Sequence, residues 1–363
     1  MNETRSDTSR ERLSAGKLRA LMTLADDDGV FRMVAVDQRP PLFQALARAG
    51  ARDPHSLGFE EVADAKALLT RVLAPEAGAI LVDPVWTHAT ALAAVPGSTA
   101  LISTLEDYGF ETVEGERRSR SIEGWSVAAA KRAGASGVKL LAWYRPDASQ
   151  ATRAHQERLV EEVGDACRAH DIPFILELLV YPLPGEDPAS PEYQARRPER
   201  VLGSVRRFAG PRFGVDVFKL EFPADLKHCR GYHGGAFDGR ERPALYALAE
   251  VRGYLAELDE ACPAPWVLLS AGVGPAEFEA DLELAFAAGA SGFLAGRAVW
   301  LDALAAYPDV AAVEERLRSR ALPYLRAISA RADAALPWYE HRRFGGAPVM
   351  EDGGEGWHRR YRS

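Results

Sequence analysis

The chain has 363 residues, of which 47% are hydrophobic and 26% charged, and its formal net charge is −8. This composition argues against collagen, coiled coil or long disorder as the main architecture, and the acidic balance argues against a nucleic-acid partner. The three cysteines are widely spaced, which predicts no disulfide framework. No apolar run reaches the length of about 18 residues that a membrane helix needs, and the polar N-terminal stretch predicts no signal peptide. We therefore expect a cytoplasmic protein without a membrane partner.

Eight short apolar segments alternate with helical patterns along the chain. We predict strands at residues 31–36, 79–82, 101–104, 137–142, 173–179, 215–220, 266–269 and 292–295. The helical patterns lie at residues 13–24, 57–73, 123–132, 149–170, 198–209, 243–259, 275–288 and from 298 onwards. Two polar stretches, 106–122 and 181–198, are rich in Gly or Pro and are predicted to be loops.

Short, continuously apolar strands are typical of a parallel sheet that helices cover on both faces. Eight such units favour the α/β class and a single (β/α)₈ TIM barrel, with a doubly wound sheet as the alternative. No G-x-G-x-x-G pattern follows the first strand, which argues against a nicotinamide enzyme.

The predicted barrel, with its N-terminal lead-in helix, occupies residues 1–336, and residues 337–363 form a C-terminal extension. The simplest interpretation of this extension is a surface tail. Trp338, Tyr339 and Trp357 also allow an ordered arm or a subunit contact, and we expect a homo-oligomer.

Three charged residues interrupt the apolar strands: Lys139, Glu177 and Lys219. Burying an unpaired charge is very costly, so these groups should be paired or shifted in pKa inside a shared cavity. Strand alternation supports this, because an inward Lys219 requires Val217 and Val215 to point inward as well. The carboxyl ends of barrel strands form the active face, where such a cavity would open.

Two lysines and a glutamate in one dry pocket predict amine chemistry. A lysine beside a second cation has a lowered pKa and becomes a nucleophile that forms Schiff bases with carbonyl substrates. A neighbouring carboxylate can then move protons for carbinolamine dehydration and C–C cleavage. The alternative is a structural ion pair inside the barrel.

Small residues after the seventh and eighth strands predict a phosphate site. Backbone N–H groups are left free at such positions near helix N-termini, and this is where barrels usually bind phosphate. A guanidinium adds a charge-assisted hydrogen bond. The candidate residues are Ser270, Ala271, Gly272, Gly296 and Arg297, and ordinary turns are the alternative.

Asp37, Gln38 and Arg39 follow the first strand and lead into two prolines. They form either a plain turn or a site in which Asp37 positions a substrate hydroxyl and Arg39 approaches an anion. The histidines show no H-E-x-x-H or H-x-H cluster, and we expect His228 and His233 to lie on the surface. A catalytic metal is therefore not predicted.

The segments that carry these residues resemble the tagatose-1,6-bisphosphate aldolase family of Schiff-base (class I) aldolases, which includes sulfofructose-phosphate aldolases. The resemblance runs from about residue 16 to 337. The matching stretches are residues 35–39 (Ala-Val-Asp-Gln-Arg), 137–141, 172–178, 215–223, 269–273 and 292–297, with Trp300 following. This chain departs from the family at Pro40 and Pro41, where members have Gly and a small residue, and in its length beyond residue 337.

The resemblance implies a role for each candidate residue. Lys219 would be the Schiff-base lysine and Glu177 the acid/base residue, with Lys139 and Asp37 assisting at the same carbon centre. Ser270 and Arg297, with the backbone amides around Ala271, Gly272 and Gly296, would hold the C1 phosphate. Gln38 and Arg39 would be further substrate contacts.

The implied activity is cleavage of the C3–C4 bond of a ketose phosphate without a metal or other cofactor. The products would be dihydroxyacetone phosphate and a three-carbon aldehyde. Tagatose 1,6-bisphosphate is the first candidate substrate, and 6-sulfofructose 1-phosphate or another modified ketose phosphate is the alternative. Two other classes remain open: a flavin-dependent barrel oxidoreductase and a non-catalytic barrel that binds sugar phosphates.

Overall fold

The computed structural model describes residues 11–351 and 353–361, and its centre is a closed barrel of eight parallel strands. Each strand pairs with the strands before and after it in the chain, and the last pairs with the first. The predicted (β/α)₈ barrel is therefore confirmed over the doubly wound sheet. The strands are β1 (Phe31–Ala35), β2 (Ala79–Val82), β3 (Ala100–Thr104), β4 (Gly137–Trp143), β5 (Phe174–Leu179), β6 (Val217–Leu220), β7 (Trp266–Leu269) and β8 (Gly292–Ala295).

Helices surround the barrel and lie beneath it. They are α1 (Ala15–Leu24), α2 (Pro40–Ala49), α3 (Phe59–Leu73), α4 (His88–Ala91), α5 (Val127–Arg132), α6 (Gln150–Ala169), α7 (Pro191–Phe208), α8 (Leu248–Ala261), α9 (Pro275–Ala288), α10 (Arg297–Trp300), α11 (Val310–Arg316), α12 (Leu322–Arg331) and α13 (Trp357–Arg360). A π-helical turn, Leu317–Ala321, joins α11 to α12. No helix in the described ranges is long and apolar enough to cross a membrane.

The sequence-based prediction was wrong about where α7 begins. Ser190 caps the helix by accepting the Tyr193 N–H, and the chain continues helically through Pro198. Proline normally ends a helix because it leaves the carbonyl four residues earlier without its donor. Here the carbonyl of Gln194 accepts the hydroxyl of Tyr246 instead, so the helix continues.

The stretch predicted as a loop at 106–122 contains a β-hairpin. Its strands, Glu111–Val113 and Glu116–Arg118, pair antiparallel, and we call residues 111–118 the mouth hairpin. The two-residue turn is formed by Glu114 and Gly115, both with positive φ, which matches the twist of a hairpin. The hairpin is short and carries few apolar residues, so hydrophobic alternation did not reveal it.

The strands alternate as expected between the barrel interior and the surrounding helices. Val217 packs in the inner apolar cluster and Phe218 in the outer one, which confirms the predicted direction of β6. Val215 was predicted to face inward, but it precedes the strand and packs in the outer cluster. The inner cluster consists mainly of Met33, Ala35, Ala79, Leu81, Ala100, Ile102, Ile175, Val217, Val267 and Leu294.

Residues from both ends of the chain cover the amino-terminal end of the barrel, which we call the base. Leu24 of α1, Trp338 and Phe344 are buried there with the inner cluster. The Trp338 N–H donates to the Gly29 carbonyl at 2.9 Å, and its ring meets Phe344 edge to face. Residues 338–344 are therefore an ordered arm rather than a surface tail.

Candidate active site

Five charged side chains meet at the carboxyl end of the barrel, which we call the mouth. The ammonium of Lys139 lies 2.7 Å from Asp37 Oδ2, 2.5 Å from Glu106 Oε1 and 3.0 Å from Glu177 Oε2. Burial disfavours the charged amine, but the three carboxylates outweigh burial and raise the pKa of Lys139. Lys139 is therefore a fixed cation, and the predicted pairing of buried charges is present.

Lys219 has a different environment from Lys139. Its Nζ lies 2.9 Å from Glu177 Oε2, the oxygen that also contacts Lys139. Glu177 and Lys219 are register partners on β5 and β6, so backbone pairing fixes their approach. Lys219 shares one carboxylate with a neighbouring cation, whereas Lys139 contacts three. Of the two lysines, Lys219 is the one whose neutral form leaves the fewest carboxylates unpaired.

The carboxylates of Asp37 and Glu177 remain ionised in this cluster. Burial favours their neutral forms, but the ammonium groups of Lys139 and Lys219 outweigh burial and lower both pKa values. Among the described residues, Asp37 Oδ1 and Gln38 Oε1 are buried without a hydrogen-bond partner. Two acceptors are thus available to a ligand hydroxyl at the end of β1.

Glu106 belongs to the cluster, and the sequence-based interpretation missed it. It lies two residues beyond the end of β3 and is 3% exposed. Besides contacting Lys139, its carboxylate accepts the Leu141 N–H at 3.0 Å and Arg39 Nη2 at 3.1 Å. Residues 102, 104 and 106 share one parity, so extending the third strand by two residues would have placed Glu106 inward.

Arg39 is tied to the protein at the edge of the cavity. Its guanidinium donates to both the carboxylate and the backbone carbonyl of Glu106 and is 5% exposed. Arg39 was predicted to approach an anion, but the carboxylate of Glu106 already pairs with its guanidinium. The role of Arg39 as a substrate contact stays a prediction.

The turn after β7 lies against Arg297, which follows β8. Ala271 and Gly272 have positive φ, and a Cβ at Gly272 would lie 2.8 Å from the Arg297 guanidinium carbon. No carboxylate among the described residues forms a salt bridge with Arg297, and burial lowers its pKa against the pull of Glu177 and Asp37. A half-buried guanidinium beside a glycine turn is suited to binding an anion.

A second ion pair at the mouth joins α7 to the end of β6. Arg197 lies 2.8 Å from Glu221, which also accepts the Val180 N–H at 2.7 Å. Burial raises the pKa of Glu221 although Arg197 opposes that shift. The sequence did not single out Arg197, because it lies in the part of α7 that was predicted to be loop.

These groups line one cavity of about 600 Å³ that opens at the mouth. The structure brings together in its lining the predicted residues Asp37, Gln38, Arg39, Lys139, Glu177, Lys219, Ser270, Ala271, Gly296 and Arg297. Gly272 contributes the adjoining turn. The sequence-based interpretation did not anticipate Tyr108, Phe110, Arg117 and Trp143, which also line the cavity.

Two further buried polar residues lie outside this cavity. His228 was predicted to be on the surface, but it is buried, and its Nδ1 lies 3.0 Å from the Pro243 carbonyl. Asp83 is buried against Lys66 and accepts the Trp86 N–H at 2.8 Å, so it stabilises the turn that follows β2. Within the described ranges, no group of three or more His, Cys, Asp or Glu side chains is arranged to hold a metal ion.

Comparison with known sequences connects this chain to aldolases. The model of the DeoC/LacD family aldolases matches residues 31–302. The chain is 33% identical over 332 residues to tagatose 1,6-diphosphate aldolase 1 of Enterococcus faecalis, covering 91% of this chain and 92% of that protein. It is 32% identical to the corresponding protein of Streptococcus mutans, covering 78% and 85%. The family resemblance inferred from the motifs is confirmed.

Comparison with solved structures shows the same fold at much lower sequence identity. A fructose-bisphosphate aldolase from Plasmodium falciparum superposes with a TM-score of 0.60 at 14% identity, covering 90% of this chain and 98% of that one. A Schiff base-forming fructose-1,6-bisphosphate aldolase superposes with a TM-score of 0.51 at 16% identity, covering 86% and 98%. At these identities the likeness concerns the barrel fold alone.

Proposed function

This chain belongs to the DeoC/LacD family of aldolases, which are carbon–carbon lyases, and we propose that it is a class I aldolase acting on a ketose phosphate. The observation that carries the proposal is the position of Lys219. Its amine is buried beside one carboxylate that it shares with the fixed cation Lys139. Imine formation needs a deprotonated amine, and deprotonation of Lys219 would leave fewer carboxylates unpaired than deprotonation of Lys139.

The chemistry begins with addition of the Lys219 amine to the C2 carbonyl carbon of the substrate. Loss of water from the carbinolamine gives an iminium ion, which accepts electrons. Removal of the C4 hydroxyl proton breaks the C3–C4 bond, the electron pair moves into an enamine, and a three-carbon aldehyde leaves. Protonation of C3 and addition of water then release dihydroxyacetone phosphate and restore the amine.

Glu177 is the proposed proton carrier in these steps. Its Oε2 lies 2.9 Å from Lys219 Nζ, so it can reach protons on the nitrogen and on the adjacent carbinolamine oxygen. Lys139 keeps Glu177 ionised and so ready to accept a proton. Asp37 would hold a substrate hydroxyl through its unpaired Oδ1.

The phosphate on C1 is proposed to bind at the ends of β7 and β8. Ser270, the amides of Ala271, Gly272 and Gly296, and the Arg297 guanidinium supply the donors and the positive charge. Tagatose 1,6-bisphosphate is the proposed substrate, because relatives of similar length at 31–33% identity carry that activity in their names. The proposed ligand is thus a small sugar phosphate. We further propose that the protein is a homo-oligomer in the cytoplasm.

The proposed reaction needs no metal or other cofactor, since the iminium ion takes the role of electron acceptor. Lys139 supplies the permanent positive charge at the reacting centre. The EDTA arm of the experiment below tests this part of the proposal.

Imine trapping tests the proposed function. Incubation with dihydroxyacetone phosphate and borohydride in EDTA should add one reduced adduct to the intact mass of the wild-type chain, and none to Lys219→Ala. Glu177→Gln should still form the adduct while turnover falls about 100-fold, the usual contribution of a general acid–base residue.

Several outcomes would contradict this mechanism. An adduct that persists in Lys219→Ala, or no adduct in the wild type, would overturn the role of Lys219. Unchanged turnover in Glu177→Gln would remove Glu177 from proton transfer. Loss of activity in EDTA alone would indicate a metal-dependent reaction.

A further inference from the structure

The second strand of the mouth hairpin directs its three charged residues to two different sides. Side chains alternate along a strand, so Glu116 and Arg118 point one way and Arg117 the other. Glu116 accepts the N–H and the hydroxyl of Ser149 at 2.6 and 2.5 Å, and Arg118 donates to Thr152 at 3.1 Å. These contacts attach one face of the hairpin to the start of α6 and leave Arg117 facing the cavity.

Three aromatic rings surround the Arg117 guanidinium. Its carbon lies 4.4 Å from the ring centroid of Trp143, 4.6 Å from that of Phe110 and 5.5 Å from that of Tyr181. Cation–π attraction of this kind holds a guanidinium in place and leaves its N–H edges free to donate. The ring contacts therefore fix a cation at the wall of the cavity.

Arg117 has no counter-ion within the described part of the chain. No Asp or Glu is among the groups that act on its charge, and burial lowers its pKa. Two other arginines near the mouth are paired, Arg145 with Glu186 and Arg197 with Glu221. A half-buried and unpaired guanidinium in a cavity is stabilised most by an anionic ligand.

Arg117 and Arg297 lie on opposite sides of the same cavity. Arg117 rests on Trp143 at the end of β4, and Arg297 follows β8. These two strands are four places apart in the closed eight-stranded barrel, hence diametrically opposed. Lys219 is on β6, two strands from each of them around the barrel. The cavity thus has an unpaired cation on each of two opposite sides and the amine on the wall between them.

We propose that Arg117 binds the oxyanion at the far end of the substrate, on C6, and selects ketose phosphates that carry a second anion. The proposal rests on the proposed function, because it takes the substrate to span from Arg297 past Lys219. Phosphate and sulfonate on C6 share the tetrahedral oxyanion that a guanidinium binds, so both are substrates of the class expected here.

The backbone of the mouth hairpin fixes where this subsite lies. Gly115 in its turn has a φ of +82°, and a Cβ there would lie 2.1 Å from Pro184 Cγ. The hairpin tip therefore touches the segment before α7 at a point where only glycine fits. The position of Arg117 is set by these two attachments, to α6 and to Pro184, rather than by the ligand.

Kinetics of Arg117→Gln on three substrates test the proposal: a ketose 1,6-bisphosphate, a 6-sulfo ketose 1-phosphate and a ketose 1-phosphate without a second anion. We expect kcat/KM to fall about 30- to 100-fold for the two substrates that carry an anion on C6, relative to the ketose 1-phosphate. The change should be mainly a rise in KM. A fall for only one of them would identify which oxyanion Arg117 binds. Arg118→Gln is the matched control, and it should change the three values equally.

Binding of a hexitol 1,6-bisphosphate separates this proposal from the proposed function. This probe has no carbonyl and forms no imine, so calorimetry reports anion binding even if Lys219 is not the nucleophile. Arg117→Gln should weaken its binding by a similar factor, and Arg117→Lys by less. Three results would overturn the assignment of Arg117. In Arg117→Gln these are an equal fall in kcat/KM on the ketose 1-phosphate, or unchanged binding of the hexitol bisphosphate. The third is the same loss of selectivity in Arg118→Gln.

Discussion

The two ends of the barrel bury charge in opposite ways. At the base, Lys17 pairs with Asp216 at 2.7 Å, and the same carboxylate accepts the Phe174 N–H at 2.9 Å. At the mouth, polar atoms of Asp37 and Gln38 are buried without partners in the described structure. Charge at the base is paired within the protein, whereas part of the polar surface at the mouth is left for a ligand.

The difference extends to the cavities at the two ends. The base has a cavity of about 500 Å³ lined by Lys17 and Arg343, but both are paired, Arg343 with Glu11 at 2.6 Å. The mouth cavity contains three cations that are not each matched by a carboxylate. Arg117 and Arg297 form no salt bridge in the described structure, and Lys219 shares its one carboxylate with Lys139. Cavity size alone therefore does not distinguish the two ends of this barrel, but the pairing of charges within the two cavities does.

The largest expected effect is on the fixed cation of the mouth. Lys139→Met leaves Asp37, Glu106 and Glu177 without their shared ammonium, so we expect a loss of about 3–5 kcal/mol in the free energy of unfolding together with loss of turnover. Lys219→Met removes a cation whose carboxylate still contacts Lys139, and we expect a change within about 1 kcal/mol. Urea unfolding at pH 7 measures both.

The dependence of the unfolding free energy on pH gives a second test of the Lys139 prediction. The folded-state pKa values of Asp37 and Glu177 are lowered, so these groups stabilise the fold above their unfolded values of about 4 and lose that contribution as pH falls through the folded values. The difference between wild type and Lys139→Met should therefore shrink below pH 4. Equal stability of Lys139→Met and Lys219→Met at pH 7 would contradict the contrast between the two lysines.

At the base, a cavity-forming change should affect stability and leave catalysis intact. Trp338 is 1% exposed among Leu24, Phe344 and the inner cluster. Trp338→Ala should cost about 3–5 kcal/mol in the free energy of unfolding, because the lost contacts are not replaced. Trp357→Ala, half-buried in the same extension, should cost under about 1.5 kcal/mol. Turnover per folded molecule at low temperature should stay within twofold in both variants, and a large specific loss in Trp338→Ala would show that the base is coupled to the mouth.

The sequence predicted the mouth better than its surroundings for a physical reason. Lys139, Glu177 and Lys219 were visible because a charge inside an apolar strand is costly and alternation fixes its direction. Glu106 and Arg117 were missed because they follow or lie outside the apolar runs, where burial depends on tertiary contacts. The start of α7 was missed because the hydroxyl of Tyr246, remote in sequence, satisfies the carbonyl that Pro198 leaves free.

The smallest expected effect concerns a histidine at the base. Burial, with Arg342 and Arg343 adding to it, lowers the pKa of His341 to about 4. The unfolded chain binds this proton near pH 6.5 and the folded chain does not, so stability is complete above pH 6.5 and falls as pH drops from there towards 4. Between pH 7 and pH 5 the wild type should lose about 1 kcal/mol more in the free energy of unfolding than His341→Asn.

The matched control for this pH effect is His55→Asn, since His55 is exposed in a short turn far from the base. The unfolding free energy of His55→Asn should follow the wild-type pH profile. Measurement of urea unfolding at half-unit pH steps gives the two slopes directly. Parallel profiles for His341→Asn and the wild type would mean that the base opens enough to hydrate His341, and the base would then lack the closed packing that distinguishes it from the mouth.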